Sequence, residues 1–189
     1  MSWAAFQMMR EQDAIKALLE CCHSTRFAEN FGKRRREFNT PGEMKLAAEG
    51  YFLSLLEPNW LEAFAAHPKI GDINSLREKY AATKAAAASE QSGVAGASEA
   101  TLQELKRLND EYEKKFGFIF IVYASGKSAD EMLAILKQRI QNDRKRELAN
   151  AAQEQVKIML DRLEKLLLRA RSPRIFWTRL LESRLPPFP

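Results

Sequence analysis

Phe116-Gly117-Phe118-Ile119-Phe120-Ile121-Val122-Tyr123-Ala124 is the one stretch of this 189-residue chain that resembles a β-strand, and its reading decides the fold class. Its aromatic and β-branched residues favour extended backbone. A strand also needs a second strand to take its backbone hydrogen bonds, and no other segment is a candidate. The stretch therefore reads as a buried extended or short helical segment, residues 116–124, ending at Ser125-Gly126 inside an all-α, compact, single-domain multi-helix bundle. Its backbone groups need partners from elsewhere, and a bound ligand is one source.

Helical signals surround this stretch. Thr40-Pro41-Gly42-Glu43 combines an N-cap, a proline at the first helical position and a capping-box acid, and Ser128-Ala129-Asp130-Glu131 repeats the cap-to-acid spacing. Leu102, Leu105, Leu108 and Tyr112 recur at helical spacing after Ser98. Leu148, Ala152, Val156, Met159, Leu163 and Leu166 do the same over a longer run, which predicts a long helix packed across the core. Further helices are expected near residues 12–23, 58–66 and 75–88.

At this length, with 46% hydrophobic residues, one well-buried core is expected. No apolar run is long enough to cross a bilayer, and the first residues lack the pattern of a secretory signal, so a soluble cytoplasmic protein with no membrane association is expected. Cys21 and Cys22 are the only cysteines, and adjacent cysteines form a strained disulfide, which fits a reducing compartment. With His23 they form a trio of ligand-type residues, but consecutive helix positions diverge by about 100° and converge poorly on one ion. Small buried apolar cysteines are the better reading.

The net charge of +5 raises the question of nucleic acid. Residues 169–189 hold five arginines against Glu182 alone, so +4 of that charge belongs to the tail. The tail also carries Pro173, Phe176-Trp177 and Leu185-Pro186-Pro187-Phe188-Pro189. It reads as a basic, proline- and aromatic-rich extension following a domain of residues 1–168. A helical interaction module whose tail binds nucleic acid or an acidic partner is the alternative. The near-neutral body disfavours it, and no nucleic-acid partner is expected.

Among proton carriers at neutral pH, the chain has two histidines. His67 is followed by Pro68, which disfavours helical geometry at residue 67 and puts the imidazole at a helix end, where it can face a cleft. A helix-end histidine is also an ordinary C-terminal cap. Glu90, beside Gln91 and ahead of Gly93 and Gly96, and Arg162, interrupting an apolar helix face between Ile158 and Leu166, are unremarkable when each is taken alone.

Together the surroundings are more specific. The run from Trp60 through Asp72, the Glu90-Gln91 pair, the run from Asn109 through Val122, and Glu154-Gln155-Val156-Lys157-Ile158 leading to Arg162-Leu163 resemble the OHCU decarboxylases. These enzymes act late in uric acid breakdown on 2-oxo-4-hydroxy-4-carboxy-5-ureidoimidazoline. The resemblance covers roughly residues 10–168 and excludes the tail. It implies an all-α enzyme, commonly a homodimer, that uses neither cofactor nor metal and makes (S)-allantoin. By matching motifs, His67, Glu90 and Arg162 form the catalytic group, while Pro68, Gln91, Phe120, Ile121, Val122, Tyr123 and Ala124 line the substrate. Many members carry a serine three residues before the glutamate. This chain has Ala87 there, which bears on one substrate hydrogen bond and not on the reaction class.

Overall fold

Capping chemistry sets where several helices begin. In the computed structural model, which describes residues 2–67 and 99–168, the Thr40 side chain accepts the Glu43 amide with Pro41 opening the helix. The Glu43 carboxylate turns back to accept the Asn39 amide at 2.8 Å. At Ser128 the capping box is complete: the Ser128 hydroxyl accepts the Glu131 amide, and the Glu131 carboxylate accepts the Ser128 amide.

Eight α-helices are formed among the described residues: α1 Trp3–Gln7, α2 Glu11–Cys22, α3 Thr25–Arg34, α4 Pro41–Ser54, α5 Glu57–Ala65, α6 Glu99–Phe116, α7 Ala129–Arg139 and α8 Arg144–Leu168. A single 3₁₀ turn, Arg35–Glu37, follows α3. The helices expected near 12–23 and 58–66, after Ser98, and at the two caps are present with small shifts at their ends. The helix expected at 75–88 lies outside the described residues. Two helices carried no sequence expectation, α1 and α3. The second has a readable start: Ser24 caps it by accepting the Phe27 amide, and Phe27, Ala28 and Phe31 form its buried stripe.

The 25-residue α8 organises the rest, touching α1, α2, α4, α5 and α6. Leu148, Ala152, Val156, Met159 and Leu163 are buried as their spacing requires, and Leu167, four residues after Leu163, is buried where Leu166 was expected. Helices α2 and α3 pack closely side by side. Gly32 permits it, because a Cβ there would fall 2.3 Å from Ile15 Cγ1 and 3.2 Å from its backbone. An aromatic cluster fills the space beside α6, with Tyr112 against Phe116 at 4.6 Å, Phe120 at 5.3 Å and Phe118 at 5.9 Å between ring centroids.

Residues 118–124 form neither helix nor strand, as expected of an apolar stretch without a pairing partner. Gly117, at φ +79°, closes α6 and releases the chain into this segment. Phe118, Phe120, Ile121 and Val122 are buried. Charged side chains take backbone groups along the segment. Arg139 Nη1 donates to the Ile121 carbonyl at 2.8 Å, Lys127 Nζ to the Tyr123 carbonyl at 2.8 Å, and Glu154 Oε2 accepts the Tyr123 amide at 2.6 Å. These contacts do locally what a neighbouring strand would do.

Arg139 is held in turn by Glu147, whose side chain is fully buried. The guanidinium Nε donates to Glu147 Oε1 at 2.6 Å, with Nη2 2.5 Å from the same oxygen. Tyr112 donates its hydroxyl to Glu147 Oε1 at 2.5 Å, and Asn142 and Asn150 donate to Oε2 at 2.8 and 3.2 Å. The Arg139 guanidinium also lies 4.8 Å from the Phe120 ring centroid. One buried carboxylate thus connects α6, α7 and α8 to the irregular segment.

Candidate active site

A helix leaves its last carbonyls without intrahelical donors, and α2 ends inside the protein. The donors come from α8. Gln155 Nε2 reaches the Cys22 carbonyl at 3.4 Å, and Arg162 Nη1 reaches the Cys21 carbonyl at 3.4 Å. Residues seven apart lie two turns along one helix face, so a single stripe of α8 caps the end of α2. Gln155 is fully buried among Ala152, Val156 and Met159, whereas Arg162 is only partly buried.

His67 arrives at the same place from α5. The helix stops at Ala65, the His67 amide donates to the Phe64 carbonyl at 3.1 Å, and the imidazole Nε2 lies 2.7 Å from Gln155 Oε1. His23 completes the group. It caps α2 in the left-handed region at φ 58°, a conformation usually left to glycine or asparagine, and its ring centroid is 6.4 Å from that of His67 in an edge-on arrangement.

Burial pushes the His67 pKa below the ordinary histidine value, and the positive charge of Arg162 and proximity of His23 push the same way; the Gln155 hydrogen bond opposes them. His23 is also lowered, by burial first and then by Arg162, with Glu20 opposing. Both rings are therefore biased towards the neutral form, in which an imidazole has one nitrogen to donate and one to accept. The thiols are not poised for chemistry. Burial raises Cys21 and Cys22 to about 12, so both are protonated thiols at neutral pH. Among the described residues no group of three or more His, Cys, Asp or Glu is placed to hold a metal ion.

The structure places His67 and Arg162 at the same end of α2, His67 through Gln155 and Arg162 through the Cys21 carbonyl. The segment Phe120 to Ala124 is moored to α8 at Glu154, next to the residue that holds His67, and its Tyr123 amide is committed to the Glu154 carboxylate. Burial works to raise the Glu154 carboxyl, but Lys157 and the Tyr123 amide hold it below the usual carboxylate range. Pro68, Glu90, Gln91 and Ala87 lie outside the described residues. Gln155 and His23 were not assigned to a site from the sequence. The signal for Gln155 was an amide placed on an otherwise apolar helical stripe, three residues after Ala152 and four before Met159.

A cleft of about 410 Å³ is lined by Val122, Lys127, Arg139, Asn142, Arg146 and Glu154, among others; neither His67 nor Arg162 lines it.

Fold and site together define a class: an all-α protein in which a half-buried histidine biased towards its neutral form and a guanidinium with donors unspent among the described residues meet at one helix end. The comparisons with known proteins give that class a family. Residues 7–164 match the OHCU decarboxylase family, and the chain belongs to it. It is 38% identical over 152 residues to the uric acid degradation bifunctional protein TTL of Arabidopsis thaliana, covering 77% of this chain and 45% of that protein. It is 24% identical over 142 residues to the 2-oxo-4-hydroxy-4-carboxy-5-ureidoimidazoline decarboxylase of Haloferax volcanii, covering 75% of this chain and 80% of that one. Among solved structures, it is similar to an OHCU decarboxylase crystallised in the presence of (S)-allantoin, with a TM-score of 0.65 and 35% identity over 84% of this chain and 98% of that one. The chain spans less than half the length of the Arabidopsis relative and 16% of a bifunctional relative from Bacillus sp..

Proposed function

We propose that this protein removes CO₂ from 2-oxo-4-hydroxy-4-carboxy-5-ureidoimidazoline and delivers (S)-allantoin. The observation that carries the reading is the meeting of His67 and Arg162 at the end of α2 in a chain of this family. Breaking the bond to the carboxylate leaves an electron pair on the ring carbon. The adjacent ring imine accepts that pair, so CO₂ departs and an enol-type intermediate forms with the extra charge on ring nitrogen. The intermediate then takes a proton at the neighbouring, ureido-bearing carbon, the ring nitrogen is protonated and the hydroxyl gives up its hydrogen to become a carbonyl, a net uptake of one proton for each CO₂ released. The substrate supplies its own electron sink, and the proposal needs no cofactor or metal.

In this mechanism Arg162 spends one nitrogen on the Cys21 carbonyl and offers the remainder of its fork to a carboxylate or ureido oxygen. His67, whose resting ring is biased to the neutral form, takes up a proton and delivers it to one face of the ring. Glu90 accepts a hydrogen bond from the ring hydroxyl. Pro68, Gln91 and the Phe120 to Ala124 segment shape the pocket. The helical interaction module has no comparable support, since the family match covers the helical body and not the tail.

Three further points belong to the proposal: the protein works as a homodimer, it acts in the cytoplasm, and residues 169–189 are an extension dispensable for catalysis. No described helix is long and apolar enough to cross a membrane. The activity is tested by mixing the purified chain with freshly generated substrate and following circular dichroism. (S)-Allantoin should form faster than spontaneous decay produces allantoin, with no metal added and undiminished by a chelator. Racemic product at the background rate would remove the assignment.

A further inference from the structure

The end of α2 decides which nitrogen of His67 can handle a proton. The Cys22 carbonyl is a pure acceptor, and the Gln155 amide meets it with Nε2 at 3.4 Å. The same planar amide then faces His67 with its oxygen, Oε1 lying 2.7 Å from the imidazole Nε2. Turning the amide over would set two acceptors, Oε1 and the Cys22 carbonyl, against each other, in a place where Gln155 is fully buried and has no solvent to compensate. An amide oxygen can only accept, so the one hydrogen of the neutral ring sits on Nε2.

We infer that Gln155 is a positioning residue that fixes His67 as the Nε2–H tautomer and makes Nδ1 the atom that takes up and returns the proton. Among the described residues Nδ1 has no hydrogen-bond partner. When Nδ1 gains a proton, the Nε2–H bond to Gln155 remains in place and its acceptor dipole favours the cation, so the ring cycles between its two states without rotating. An uncharged amide in this position steers the ring without the strong pull of a carboxylate, which leaves burial and Arg162 free to keep the resting ring neutral. The catalytic half of this inference rests on the proposed decarboxylation, whereas the tautomer does not.

The two halves are tested separately. Only two histidines occur in the chain, so the full-length protein labelled with ¹⁵N-histidine gives two imidazole spin systems, and His23→Gln assigns them. At a pH above the titration of both rings, His67 should show Nε2 as the protonated nitrogen and Nδ1 as the bare one. The reverse pattern, or an even mixture, overturns the inference with no need of substrate or of a Gln155 variant. Gln155→Met, of similar length but at most a weak acceptor, should give a tautomer mixture and lower kcat roughly 10- to 100-fold with little change in KM. Gln155→Glu should keep the hydrogen on Nε2 and move the acid limb of the pH–rate profile upward. A Gln155→Met protein with a single Nε2–H tautomer and parental kcat overturns the positioning role. A chain that makes no (S)-allantoin overturns the catalytic half together with the proposed activity, and the tautomer is still read from the spectrum.

Discussion

Helix α8 supports two polar clusters, and they differ in what they leave unspent. At its N-terminal end Glu147 is fully buried and receives Arg139, Tyr112, Asn142 and Asn150, so its two oxygens are saturated by the protein itself. About two and four turns further on, Gln155 and Arg162 cap α2 and Gln155 holds His67, yet the remaining Arg162 donors and His67 Nδ1 have no partner among the described residues. The first cluster is a scaffold for the irregular segment. The second has capacity to give a ligand, and that difference distinguishes a structural network from a site when both are built of charged and polar groups.

Breaking the saturated cluster should have the largest effect on folding. Glu147→Gln keeps the shape but leaves the Arg139 guanidinium buried without its counter-charge, at a cost of roughly 3–5 kcal/mol. Urea denaturation of the full chain measures it. A loss below about 1 kcal/mol would mean that the network is an ornament of the fold and not its support.

The unsaturated cluster should behave in the opposite way. Arg162→Lys retains a positive charge but loses the planar fork, so it should raise KM by about tenfold, or ~1.4 kcal/mol, while the melting temperature stays close to that of the parent. A large drop in melting temperature with unchanged kinetics would place Arg162 among the structural residues, as a cap of α2 and nothing more.

The smallest effect is on stability against pH. His67 and His23 both titrate below their ordinary value because burial disfavours the charged ring, with Arg162 on α8 reinforcing it and Glu20 on α2 opposing it at His23. The unfolded chain therefore binds protons more readily than the folded one. This contribution is complete above about pH 6.5, the unperturbed histidine value, and is lost as pH falls through the depressed folded values. Urea midpoints measured on either side of that window should fall on acidification, and by less in His67→Asn than in the parent. Equal losses in the two proteins would show that His67 carries no such depression.

Much of this was legible in the chain because its determinants are local. The caps at Thr40 and Ser128 need only four residues each, and the stripe from Leu148 to Leu163 needs only helical spacing. The Phe116 to Ala124 run was readable as a non-strand because a strand requires a partner that the sequence does not provide. What supplies its backbone partners was not readable, since Arg139 and Glu154 reach Ile121 and Tyr123 across the fold. His67 stood out through the following proline. Gln155 did not, because a glutamine on a helix is ordinary until the structure puts the end of α2 and a histidine on either side of its amide. His23 was hidden in the same way: its place beside His67 depends on a left-handed turn at the end of α2, which the Cys21-Cys22-His23 trio does not announce.

The central claim is that the unspent side of α8 does chemistry through His67, and the most direct test is the chirality of the product. Parent and His67→Asn proteins, matched for helicity and melting temperature, are each given fresh substrate, and circular dichroism follows allantoin as it forms. The account predicts single-handed (S)-allantoin from the parent, and from His67→Asn a kcat lower by roughly 10²- to 10⁴-fold, so that slow racemic product from spontaneous decay dominates. Rapid formation of (S)-allantoin by His67→Asn would contradict it and return His67 to the role of a helix cap.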